Sequence, residues 1–115
     1  MTRVYIAAPY QLKDQANAIA EQLRAKGFAI TSTWLGDSQE DSPEAAALDL
    51  RAVERADVLL LINDPAWLTR GTGGRHVEFG YALALRKRVV VLGAAPGNVF
   101  HLLKHVERID AIGEL

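Results

Sequence analysis

The chain predicts an α/β domain on a doubly wound parallel sheet. Three observations carry that prediction. Short aliphatic runs recur along the chain, the stretches between them place apolar residues at helical spacing, and "DVLLLIN" (Asp57 to Asn63) is apolar without alternation, as in a strand covered on both faces. The 115 residues, 50% of them hydrophobic, suffice for one domain with a sizeable core and are too few for two.

Taken in order, "RVYIAA" (Arg3 to Ala8) reads as the first strand. Leu12, Ala16, Ile19, Ala20 and Leu23 then mark the buried stripe of a helix over 12–26, which Gly27 ends. "FAITSTW" (Phe28 to Trp34) reads as a second strand, followed by a polar, acidic loop. Ser42 caps a second helix with Pro43 in its first turn, and that helix runs to about Ala56. After the strand 57–63 and a loop, "RHVEFGYALALRK" is a third helix leading into "RVVVLG" (Arg88 to Gly93), the fourth strand. The order βαβαβαβ implies a flavodoxin/Rossmann-like sheet in a single domain.

Composition removes several function classes. Thirteen Lys and Arg against 14 Asp and Glu leave no broad field for nucleic acid or an acidic membrane, so a small molecule is the expected partner. The absence of cysteine excludes disulfides, thiolate catalysis and Cys-type zinc sites. "MTRVYIAAPY" holds too short an apolar run for a signal peptide or membrane span, and a soluble, cytoplasmic protein is expected. Neither a cofactor nor a metal is called for; His101 and His105 stand one helical turn apart, but lack an acidic or Cys partner at ligand spacing and read as a surface helix.

In doubly wound sheets ligands bind beyond the carboxyl ends of the strands, which directs attention to residues 7–11, 34–41, 63–74 and 93–101. "GTGGRHVEFG" (Gly71 to Gly80) is neither the dinucleotide fingerprint nor a P-loop. Gly73, Gly74 and the helix start still offer backbone N–H groups to an anion, and Arg75 with His76 adds positive potential; a plain Gly-rich turn is the competing reading. Trp34 and Trp67 follow strands and are candidates to stack a base or to pack, and Asp64 is a candidate to orient substrate or to start a turn.

Two carboxylates give this region chemistry. Glu78 falls near the start of its helix, where the dipole is expected to keep it ionised and able to act as a nucleophile. On a wheel of about 100° per residue centred on Asp49, residues Ala45, Ala46, Ala52, Val53 and Ala56 lie within roughly 60°, while Glu44, Arg51, Glu54 and Arg55 fall opposite. Asp49 therefore occupies an apolar face, where desolvation raises its pKa and a partner is required; an ion pair with a buried Arg is the alternative to a catalytic role. One carboxylate held as an anion and one pushed toward its acid form are the ingredients for cleaving a glycosidic bond with retention.

The ordered set "VYIAAPY", "ALDLRAVERAD", "GTGGRHVEFGYALAL" and "GNVFHLL" resembles the nucleoside 2-deoxyribosyltransferase superfamily, including its 2'-deoxynucleoside 5'-monophosphate N-glycosidase branch, over nearly the whole chain. The resemblance implies that Glu78 forms a covalent sugar ester, that Asp49 assists departure of the base and that Tyr5 positions the nucleophile. Thr72 matches a position where relatives hold the sugar 5'-hydroxyl or a 5'-phosphate, and an uncharged Thr beside Gly74 and Arg75 leans toward a nucleotide. Asn98, Phe100 and His101 match a segment that a neighbouring subunit inserts over the 5' end, implying a homodimer or higher homo-oligomer. "AAPYQLKD" departs from the Gly/Arg-rich first loop of the monophosphate branch, leaving Lys13 as its cation, and residues 37–41 are acidic. A nucleoside or nucleotide N-glycosidase or base-exchanging transferase is the reading that results; a non-catalytic nucleotide-binding or sensor module, or a bare interaction domain, is the rival.

Overall fold

A computed structural model describes residues 1–36, 41–63, 73–93 and 98–115. Five parallel strands, β1 (Arg3–Ala7), β2 (Ala29–Ile30), β3 (Val58–Ile62), β4 (Arg88–Leu92) and β5 (Val106–Ile109), lie in the order β2-β1-β3-β4-β5. Helices α1 (Lys13–Ala25), α2 (Pro43–Arg55) and α3 (Gly74–Ala84) connect the first four. The register is unbroken across the centre, with Tyr5 opposite Leu59 and Leu59 opposite Val89. This is the flavodoxin-like order. Its chain leaves β1 toward one side and reaches β3 on the other, so a crevice opens between the carboxyl ends of those two strands.

All five β3 residues are buried, as the unalternating run requires. The capping of α2 also follows its residues: Ser42 Oγ accepts from the Ala45 N–H at 3.1 Å and Pro43 takes the first turn. Ala52, Val53 and Ala56 are buried, while Glu44, Arg51, Glu54 and Arg55 are exposed. No helix among the described residues is long and apolar enough to cross a membrane.

Three expectations are corrected. The second strand ends at Ile30, and Thr33–Leu35 forms a 3-10 turn with Trp34 and Leu35 buried. Side chains replace the ladder there: Ile6 N–H donates to Ser32 Oγ at 3.1 Å, and Trp34 Nε1–H donates to Ile6 O at 2.8 Å. With Ile6 satisfied at both backbone groups, the chain turns inward and buries the indole. A fifth strand, unread in the sequence, closes the far edge; its four residues alternate too little for a period to register. The expected helix carrying His101 and His105 is instead a 3-10 turn, Val99–Leu102, followed by a turn and β5, with His101 buried and His105 exposed.

Gly93, directly after β4, fixes the spacing between strand ends. It has φ +147, and a Cβ there would lie 2.3 Å from Asn63 O. Gly93→Ala is expected to destabilise the fold by about 3 kcal/mol, read as a lower denaturant midpoint at unchanged slope. An unchanged midpoint would show that this approach is not tight.

Candidate active site

A cleft of about 130 Å³ opens beyond β1, lined by Ala8, Pro9, Tyr10, Trp34, Asp49, Gly73, Gly74, Arg75 and Glu78. Tyr5, fully buried on β1, donates its hydroxyl to Glu78 Oε2 at 2.5 Å. Asp49 reaches the cleft from α2 with Oδ1 buried, and its charge is felt by both Tyr5 and Glu78. The structure thus brings Tyr5, Asp49 and Glu78 together from three elements.

The electrostatics of Glu78 reverse the sequence expectation. Helix α3 begins at Gly74, which puts Glu78 beyond the first turn, where the dipole effect has largely decayed. Burial dominates, pushing the Glu78 carboxyl up to about 7; the Tyr5 hydrogen bond opposes this and the Asp49 charge adds to it. At neutral pH Glu78 is therefore divided between acid and anion. Burial and the two carboxylates hold the Tyr5 hydroxyl firmly protonated, so it remains a donor. In Tyr5→Phe the titration midpoint of Glu78, followed by carboxyl carbon NMR, is expected to move upward. A downward move would mean that Tyr5 does not stabilise the anion.

Helix α3 enters the cleft through Gly73, whose φ of +84 places it in the left-handed region where a side chain is strained. Gly74 and Arg75 follow on the cleft wall, with Arg75 buried and its guanidinium lowered by desolvation. His76 does not supply the expected charge: burial and the neighbouring Arg75 hold its pKa below the ordinary histidine value. Trp34 walls the cleft with its N–H already bonded.

The segment after β4 divides its residues. Asn98 Oδ1 accepts from Phe100 N–H at 2.9 Å and caps the turn. Phe100 is exposed, whereas His101 is buried with its ring 5.0 Å from that of Phe79, and burial, His76 and Arg108 lower its pKa. Val99, Phe100 and Leu102 are thus the side chains this turn presents outward. Thr72, Asp64 and Trp67, with residues 37–40 of the acidic loop, lie outside the described residues.

Ala8, Pro9 and Tyr10 of the cleft were not singled out from the sequence, and of these Tyr10 brings a functional side chain. Tyr10 stands half-exposed on the rim, with Lys13 Nζ 5.6 Å from its ring centroid. Its position just past the first strand is the signal that pointed to it.

No family model matches the chain, and no curated protein matches it in sequence. Solved structures do share its fold, and two of them are informative. The Clostridium botulinum CMP N-glycosidase BcmB superposes with a TM-score of 0.63 at 24% identity, covering 98% of this chain and 93% of that one. A 2-desoxiribosyltransferase from Leishmania mexicana superposes with a TM-score of 0.58 at 20% identity, covering 80% of this chain and 64% of that one. At these identities the likeness shows a common fold.

Proposed function

We propose that the chain belongs to the nucleoside 2-deoxyribosyltransferase superfamily and cleaves the N-glycosidic bond of a nucleoside or nucleoside 5'-monophosphate. The observation that carries this reading is the Tyr5–Glu78 hydrogen bond beside Asp49, in the cleft at the β1/β3 switch point. The names of two structures that share the fold point the same way: one is a CMP N-glycosidase and the other a deoxyribosyltransferase.

In this reading Glu78, as the anion, attacks C1' while the C1'–N bond breaks. The bonding pair leaves with the base, which takes a proton from Asp49, and the sugar becomes an ester of Glu78. Water or a second base then attacks C1', returning Glu78 as a carboxylate; Asp49, now ionised, accepts the proton of that nucleophile. Tyr5 holds Glu78 in place for attack. Arg75 and the N–H groups at the start of α3 suit the 5'-phosphate of a nucleotide, with Gly73 and Gly74 allowing close approach and Thr72 a further donor. Trp34 and Tyr10 flank the base side of the cleft; Asp64 and Asn98 remain candidate contacts to the substrate. A second copy of the chain would complete the site through Phe100, as a homodimer or higher homo-oligomer.

The test is base release and intact mass after mixing the protein with a panel of nucleosides and nucleotides, ribo and deoxy. Released base, or an added sugar mass, supports the reading and selects the substrate. Tight binding without release would replace it with a nucleotide-binding module.

A further inference from the structure

The opposite end of the sheet, where β4 begins, carries a second cavity of about 510 Å³, lined by Leu83, Arg86, Lys87, Arg88 and His105. That volume lies within the roughly 300–1,000 Å³ of small-molecule sites. Its charges are unevenly matched. Arg88 is held by Glu107 in a two-point pair at 2.6 and 2.9 Å. Lys87 Nζ donates to the main-chain oxygen of Glu54 at 2.8 Å, a neutral acceptor, while the Glu54 carboxylate accepts from Tyr81. Asp57, whose titration also feels Lys87, is bonded by Arg3. Among the described residues Arg86 makes no ion pair, so Arg86 and Lys87 face the cavity with two charges that no carboxylate bonds.

The backbone of Arg86 is the second observation. Helix α3 closes with Lys87 N–H donating to Ala82 O and Arg86 N–H donating to Leu83 O, each at 3.0 Å, which places Arg86 at φ 58. Helix α1 closes by the same two bonds, Phe28 to Leu23 and Gly27 to Arg24, and there the left-handed position is Gly27. Glycine fills that position without strain; an arginine does not. Arg86 is the one non-glycine residue with positive φ among those described. Helix-end electrostatics does not account for it, since Lys87 supplies a cation to the same helix end without that strain.

We propose that this cavity binds a small phosphate ester, and that Arg86 occupies its strained position to present its guanidinium to the phosphate. Two unmatched cations balance a phosphate dianion, the planar guanidinium donates to two phosphate oxygens, and Leu83 packs on the apolar part of the ester. This site is independent of the chemistry assigned to the cleft.

Amide NMR titration of the whole chain tests it, with ribose 5-phosphate and inorganic phosphate as separate probes. Saturable shifts are expected at Leu83, Arg86, Lys87, Arg88 and His105, with the ester bound more tightly than inorganic phosphate. Arg86→Gly is expected to weaken the ester about tenfold or more while raising Tm by about 2–4 °C, because it removes charge and strain together. Arg86→Lys, which keeps the charge but not the planar fork, is expected to weaken the ester less than Arg86→Gly does. Absence of shifts at these amides, equal affinity for the two probes, or undiminished affinity in Arg86→Gly overturns the proposal.

Discussion

Glu78→Gln is expected to abolish base release, by roughly 10⁴-fold or more, and at the same time to make the protein more stable at neutral and alkaline pH. The loss follows from chemistry, since an amide cannot form the sugar ester. The gain follows from burial. In the folded protein the Glu78 carboxyl is pushed up from 4.5 to about 7, so between these values the folded state holds a proton that the unfolded chain has released. Stability therefore falls as pH rises through that window, by about 3 kcal/mol across it. Gln carries no such dependence while still accepting from Tyr5. Denaturation at about pH 8 should show the variant to be the more stable protein, with the difference vanishing toward about pH 4. Equal stability at both values would mean that Glu78 is not desolvated, and retained base release would remove it from the mechanism.

The second large effect is expected at Asp49. Asp49→Asn should slow base release by roughly 10²–10⁴-fold, because in the proposed mechanism the leaving base then loses its proton donor. It should also change the pH profile. If Glu78 attacks as proposed, its ionised form is the reactive one, so the rate of the native protein is expected to fall as pH drops below about 7. Asp49 must keep its proton while Glu78 is ionised, so the native rate should fall again once Asp49 ionises, and Asp49→Asn should remove that alkaline limb. Tyr5→Phe should move the acid limb to higher pH, since its hydrogen bond favours the anion. An Asp49→Asn variant that keeps its rate but loses stability would make Asp49 a structural partner of a buried arginine instead.

These effects rest on a constellation that was readable from local pattern only in part. Asp49 stands on the apolar face of its helix by periodicity, and Ser42 with Pro43 sets where that helix begins, so its rotational phase is written in 13 consecutive residues. Glu78 stands out by contrast with the apolar residues around it. What Glu78 does with its proton is not local. The sign of its shift depends on burial beneath other elements and on a hydroxyl 73 positions away, and neither leaves a mark in the ten residues around it. His76 and His101 are held neutral for the same kind of reason, one beside a buried arginine and the other against Phe79.

By itself the sequence determined the alternation of strands and helices, the fully covered β3, the end of α1 at Gly27 and the capped start of α2, because hydrophobic period, caps and glycine conformation act within a few residues. Only the tertiary structure decided the strand order, the early end of β2 and the presence of β5. Each depends on which distant group satisfies a backbone N–H or carbonyl, as Ser32 and Trp34 do for Ile6. It also decided which ionisable groups are charged, since desolvation is set by everything packed around a side chain and not by its neighbours in the chain.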